Sequence, residues 1–202
     1  MRITGGRFRG RVVAPPKDGG LRPTQDMVRE ALFNILAPEI PGADFLDLFA
    51  GSGAVGIEAA SRGAGSVTFV ESDRRHAEAV RRNAASIVGA SPGCGVRWEV
   101  AVADVGRWVA GYSGAGFSVA FADPPYALWD AAGCAMFLRS LATSGVVRPG
   151  GLFVAETAVS TKAEEVPGWD LLRDRAYGKT RIAIWRRDGA AATPQSATCG
   201  LC

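Results

Sequence analysis

The sequence holds a single histidine, His76, and only four cysteines, Cys94, Cys134, Cys199 and Cys202, in 202 residues. That sparseness excludes a disulfide scaffold, which needs many closely spaced cysteines. Cys199-Gly200-Leu201-Cys202 has C-x-x-C spacing, but no second ligand pair accompanies it. No metal site is therefore expected, and the two tail thiols read as exposed. No apolar run approaches the ~18 residues of a membrane span. The opening Met1-Arg2-Ile3-Thr4-Gly5-Gly6 lacks the apolar core of a secretion signal. No segment repeats. These absences lead to the expectation of a soluble, cytoplasmic, monomeric protein.

What is present suffices for one full hydrophobic core: 48% of residues are hydrophobic and 21% charged. The net charge of +3 is modest but unevenly placed. Before residue 30 lie Arg2, Arg7, Arg9, Arg11, Lys17, Arg22 and Arg29 against Asp18 and Asp26 alone. Such an arm suits a polyanion, with Arg7, Arg9, Arg11 and Lys17 as the candidate contacts, although an ordinary solvated terminus fits the same charges.

Residues 2–20 carry Gly5-Gly6, Gly10, Pro15-Pro16 and Gly19-Gly20 around Val12-Val13-Ala14, which reads as a hairpin-like arm rather than a core element. A helix follows Arg22-Pro23-Thr24, with Thr24 or Asp26 as its cap and Val28, Ala31, Leu32, Ile35 and Leu36 on one face. From residue 43 strands alternate with helices. Phe45–Phe49 is a strand, Gly51-Ser52-Gly53 a turn and Val55–Arg62 a helix; Ser66–Glu71 is a strand, and Asp73 caps a helix running to Val88 with Ala77, Val80, Ala84 and Ile87 inward. The arginine pairs 74–75 and 81–82 fall on its solvated face. A strand at Val96–Ala101 leads to a short helix after Asp104, then to the buried strand Phe117–Ala122 and a helix from Leu128 to Ala142. Pro149-Gly150-Gly151 reads as a turn into the strand Leu152–Glu156, and Trp169–Tyr177 with Thr180–Arg187 as a hairpin around Gly178. The alternation implies an α/β, doubly wound sheet, mostly parallel with an antiparallel edge. The Ala/Thr/Ser/Pro-rich stretch from Asp188 is expected to be a disordered tail.

Gly51-Ser52-Gly53-Ala54-Val55-Gly56 matches G-x-G-x-x-G between a strand and a helix, with Glu71 twenty residues after Gly51. Glycines let backbone approach a ligand, and a carboxylate at the next strand's end grips ribose hydroxyls. The pattern fits either a nicotinamide dinucleotide or S-adenosylmethionine. Asp47, just before the turn, favours the amino group of a methionine moiety over a pyrophosphate, although it can equally cap a loop. Asp104 is placed to accept from an adenine amino group or to cap a helix, and the two roles are compatible.

Asp123-Pro124-Pro125-Tyr126 ends the strand Phe117–Ala122, because two prolines donate no ladder hydrogen bond. An acid, bare carbonyls and an aromatic then stand at a strand's carboxyl end, where open α/β sheets bind ligands. The exocyclic amine of a nucleobase is a poor nucleophile, since its lone pair is delocalised into the ring. Hydrogen bonds from that amine to the Asp123 carboxylate and the Pro124 carbonyl would free the lone pair. Pro125 stiffens the turn, and Tyr126 stacked on the base would add roughly 1–3 kcal/mol. Trp129 reads either as lining the mouth or as core.

With these residues in place the chain resembles the bacterial RsmD family of 16S rRNA (guanine-N2)-methyltransferases. The resemblance runs from residue 2 to about 187 and rests on Gly5-Gly6 with Arg9-Gly10-Arg11, on Arg22-Pro23-Thr24 through Asp26, Val28-Arg29-Glu30 and Leu32-Phe33-Asn34, on Asp47-x-Phe49-Ala50-Gly51-Ser52-Gly53, and on Asp123-Pro124-Pro125-Tyr126. Met27 departs from it, standing where a basic residue is expected. The resemblance implies the seven-stranded, Rossmann-like class I fold of S-adenosylmethionine-dependent methyltransferases. It also implies that cofactor is held by Asp47, Phe49, Ala50, Gly51, Ser52, Gly53, Glu71 and Asp104, with Arg22 and Thr24 lying over it. The expected division is a basic RNA-binding arm at 1–22, a methyltransferase domain at 23–187 and the tail at 188–202. The expected substrate is 16S rRNA, naked or in a small-subunit particle. An N6-adenine methyltransferase, an NAD(P)-dependent oxidoreductase and a non-catalytic RNA-binding assembly factor are the alternatives.

Overall fold

Phe117–Ala122 is buried at every position, and residues 45–48 and 67–71 are likewise inaccessible to solvent. Strands this continuously apolar need cover on both faces, and a doubly wound sheet supplies it. The structure, a computed structural model, describes residues 1–15, 26–124 and 131–189. Within these are the helices α1 (Asp26–Ile35), α2 (Ala54–Ser61), α3 (Arg74–Ala84), α4 (Val105–Ala110) and α5 (Ala131–Ser144). The strands are β1 (Asp44–Leu48), β2 (Ser66–Glu71), β3 (Arg97–Val102), β4 (Phe117–Ala122), β5 (Val147–Ala158), β6 (Trp169–Tyr177) and β7 (Thr180–Arg187).

The seven strands form one sheet in the order β3-β2-β1-β4-β5-β7-β6. Neighbours from β3 to β5 pair in parallel, whereas β7 runs antiparallel to both β5 and β6. Alternate side chains build two cores. On one face Phe45, Val67, Phe69, Val119, Phe121, Leu152 and Val154 meet residues of α1, α2 and α3; on the other Leu46, Leu48, Val70, Ala120, Ala122 and Phe153 meet Val105 and Val109 of α4 and Leu138 and Leu141 of α5.

Three local expectations change. Pro149-Gly150-Gly151 is no turn between elements: β5 runs through it as an irregularity, with Gly150 at φ +76° and the register against β4 shifting between Phe117 and Val119. The regular register against β4 passes from Val147 to Leu152, and pairing with β7 begins at Leu152, so the breakers sit in the irregular stretch between. The helix after Asp73 stops at Ala84 and passes into a single π turn, Ala85–Gly89. The N-terminal hairpin is closed by the bridge Arg2–Val12 and by Ile3 N–H to Arg11 O (2.9 Å) and Gly10 N–H to Ile3 O (2.8 Å), yet it is also a core element. Ile3, Phe8 and Val13 are buried with the α1, α2 and α3 side chains.

The hairpin docks on a buried carboxylate. Glu58 of α2 accepts from Thr4 N–H, Thr4 Oγ1 and Gly5 N–H, each at 2.8 Å, and from Arg29 Nε (3.4 Å) and Arg62 Nε (2.8 Å). Arg29 and Glu58 are both 0% exposed, and Arg29 also reaches Asp26 Oδ1 (2.9 Å) and the carbonyl of Arg2. Arg29 thus belongs to the interior and not to a polyanion-binding face. A charge this deep persists only when paired and hydrogen-bonded throughout.

Candidate active site

Parallel pairing brings the functional residues to one edge. Leu48 lies opposite Val70 on one side and Ala122 on the other, while Glu71 lies opposite Val102. The segments leaving β3, β2, β1 and β4 therefore emerge side by side, carrying Asp104, Glu71, the turn Phe49–Gly53 and Asp123 in that order. At ~4.8 Å per strand the row spans roughly 14 Å, the length of an extended nucleoside with an amino-acid side arm.

The turn after β1 is built from inside. Phe49 adopts φ +60°, a conformation rare for an aromatic residue, and Gly51 and Gly53 have φ +57° and +79°. Gly53 is the N-cap of α2, and its N–H donates to Ala50 O at 2.7 Å. Gly51 N–H donates to Glu71 Oε2 (2.8 Å), while Glu71 Oε1 accepts from Asp73 N–H (2.9 Å). Asp47 is 2% exposed, and its Oδ2 accepts from Gly56 N–H in the first turn of α2 at 2.9 Å. Burial is the main cause that pushes the Asp47 carboxyl up to about 8; the Gly56 bond opposes the rise and the charge of Glu71 adds to it. Gly56 is required for packing, because a Cβ there would lie 2.3 Å from Phe69 Cε1 and 2.8 Å from Val67 Cγ1. These groups, a buried carboxyl with no cation paired to it among the described residues and a second carboxylate on a glycine turn, fit a ligand bearing an ammonium and a ribose.

At the two ends of the row, Asp104 is exposed and caps α4 through Oδ1 to Arg107 N–H (3.0 Å). Asp123 is half-buried and Pro124 buried. The other two residues of that motif, Pro125 and Tyr126, lie outside the described residues, as do Trp129, Arg22, Thr24, Lys17 and the tail cysteines. Asp73 caps α3 as expected: its carboxyl is held down at about 2 by the Arg75 side chain and by backbone donors. Of the arm's basic residues, Arg7, Arg9 and Arg11 are exposed on the hairpin. Arg7 Nη1 donates to Gly93 O (2.9 Å) and Arg11 Nη1 to Ile87 O (3.2 Å), which lays them along the end of α3. The Arg9 side chain makes no hydrogen bond or ion pair among the described residues.

Sequence reasoning missed Asn83. This side chain near the end of α3 is 6% exposed; its Nδ2 donates to both Ser52 O and Ala14 O at 2.9 Å, and its Oδ1 accepts from Ala14 N–H at 3.2 Å. The available signal was a lone amide between Val80 and Ala84 on a face otherwise apolar.

The strand order departs from the 3-2-1-4-5-6 order of dinucleotide-binding domains by placing an antiparallel β7 between β5 and β6. A family model described as "Conserved hypothetical protein 95" matches residues 1–186. "Ribosomal RNA small subunit methyltransferase D" of Escherichia coli K12 is 34% identical over 191 residues, spanning 93% of this chain and 90% of that protein. The chain belongs to the RsmD family. The Haemophilus influenzae protein of the same description is 34% identical over 186 residues, covering 92% of this chain and 93% of its own. Among solved structures, yhhF from Escherichia coli superposes with a TM-score of 0.76 at 34% identity over 94% of this chain and 98% of that one. The RsmD-family match takes in the hairpin as well as the sheet, consistent with their common core.

Proposed function

We propose that this RsmD-family protein is an S-adenosylmethionine-dependent methyltransferase acting on the exocyclic N2 amine of a guanine in 16S rRNA, in the cytoplasm during ribosome maturation. The observation that supports it best is the placement of Asp123 beside the Phe49–Gly53 turn by the β1–β4 register. A carboxylate beside a glycine turn is the arrangement that methyl transfer to an amine would need. Family membership supports the rRNA, and the guanine rests on the family resemblance.

S-adenosylmethionine supplies, when bound, a methyl group on an electrophilic sulfonium. Asp47 would face its ammonium, Glu71 its ribose hydroxyls and Asp104 its adenine, over backbone from Phe49, Ala50, Gly51, Ser52 and Gly53; Arg22 and Thr24 would close over it. Asp123 and the Pro124 carbonyl accept from the two N–H bonds of the target amine, which draws nitrogen toward tetrahedral geometry. Pro125 holds that carbonyl in place and Tyr126 stacks on the base, which has left its helix to enter. Asp123 then stabilises charge arriving on nitrogen and accepts its proton. Alignment supplies more of the rate than acid–base chemistry. Residues 1–22 hold RNA through phosphate contacts from Arg7, Arg9, Arg11 and Lys17, residues 23–187 carry the transfer, and 188–202 stand outside both.

The decisive experiment pairs Asp123→Ala with mapping of methylated nucleotides in 16S rRNA. Loss of the modification with S-adenosylhomocysteine affinity near wild type is expected. Unchanged modification by the variant would refute the catalytic assignment, and a methylated adenine would replace guanine in it.

A further inference from the structure

Two backbone segments from opposite ends of the proposed reaction meet at one side chain. Ala14, where the hairpin ends, gives both its N–H and its C=O to the Asn83 amide, and the second Asn83 N–H goes to Ser52 O inside the cofactor turn. Three of the amide's four hydrogen-bonding positions are used in an almost dry setting. An apolar residue of similar size would leave the buried bond to Ser52 O unmade, which is costly, and would release both groups of Ala14. The α3 helix that carries Asn83 is itself fixed, with Ala77, Val80 and Ala84 buried on either side of the amide. The hairpin's contacts through Glu58 and Ser61 are to α2, and those of Arg7 and Arg11 to Gly93 and Ile87 beyond α3; among the described residues, Asn83 is the side chain that bonds both the hairpin and the turn.

We propose that Asn83 is a positioning residue: it fixes the end of the RNA-holding hairpin against the cofactor turn, so that RNA bound on one presents its base in line with the methyl held by the other. This rests on the function proposed above, in which the hairpin holds rRNA and the turn holds cofactor. In-line transfer is sensitive to placement, and a shift of about 1 Å between two bound reactants can cost around a hundredfold in rate. The role therefore predicts a defect in the rate at saturation and not in either binding step.

The test measures single-turnover methyl transfer at saturating S-adenosylmethionine and saturating unmodified 16S rRNA, naked and in small subunits, beside separate affinities for S-adenosylhomocysteine and RNA. Asn83→Ala should lower the saturated rate by about tenfold or more while both affinities stay near wild type. Ala14→Pro removes the Ala14 N–H and leaves its carbonyl, on an exposed residue already restricted to extended backbone by Pro15. It should give a smaller loss of the same kind with an unchanged melting temperature, and it decides the matter alone if Asn83→Ala does not fold. Wild-type saturated rates in the folded variants would overturn the proposal. So would losses that appear wholly as weaker S-adenosylhomocysteine binding, since Asn83 would then merely support the turn. A wild-type protein that neither binds S-adenosylhomocysteine nor transfers methyl would instead bring down the methyltransferase reading, and this proposal with it.

Discussion

The cofactor role proposed for Asp47 comes with a cost. In an unfolded chain its carboxyl ionises near 3.8, whereas in the fold desolvation holds it protonated to about 8. Between those values the folded protein keeps a proton that the unfolded chain has released. The stability contributed by the neutral group is thus full below about pH 3.8 and is lost as pH rises through about 8. Asparagine would keep an acceptor for Gly56 N–H and never ionise. Asp47→Asn should therefore melt at nearly the wild-type temperature near pH 4 and at a progressively higher one up to pH 8, in the ligand-free state. The same change should weaken S-adenosylhomocysteine by about tenfold or more, because a charge-assisted hydrogen bond to the ammonium is lost. Melting curves across pH and calorimetry check the two halves; a melting-temperature gap that does not vary with pH would contradict the buried-acid argument.

At the scale of elements, what could be read from sequence was what is locally determined. Ser66–Glu71, Trp169–Tyr177 and Thr180–Arg187 have the bounds that apolar runs and the Gly178 turn imply, and Glu71, Asp104 and Asp123 could be placed at or just past strand ends, although their row needed the observed strand order. What escaped was decided at long range. Arg29 looked like one more basic residue of the arm until folding placed Glu58, twenty-nine residues away, against it. Ile3, Phe8 and Val13 have no period that marks them as core; Glu58 and Ser61 dock them there. Gly6 shows how close that docking is: its φ is +74°, and a Cβ on it would lie 2.0 Å from Ser61 O. Backbone on both sides leaves nothing to rotate away. Gly6→Ala should release the hairpin at a cost of about 1–3 kcal/mol, with faster amide exchange at Ile3, Phe8 and Val13 while β1, β2 and β4 stay protected. Protection retained in the hairpin would show that the docking tolerates the side chain.

For the molecule as a whole, a net charge of +3 is too small to bind a polyanion by itself, so RNA affinity depends on where the cations sit. Removing residues 1–20 would be a poor probe of this, since the hairpin's buried side chains belong to the main core. Substituting charge alone leaves that core intact. Arg7, Arg9 and Arg11 stand exposed on the hairpin, and each phosphate they neutralise releases about 0.7–0.9 of a counterion. Arg7→Ala, Arg9→Ala and Arg11→Ala together should reduce the slope of log affinity against log salt by about 2 to 3, with S-adenosylhomocysteine affinity and melting temperature close to wild type. Because Arg7 and Arg11 also bond carbonyls of Gly93 and Ile87, the single Arg9→Ala change should retain wild-type melting most closely and still lower the slope by about 0.7–0.9. A slope that the triple variant leaves unchanged would move the RNA track off the hairpin and onto some other face of the sheet's carboxyl edge.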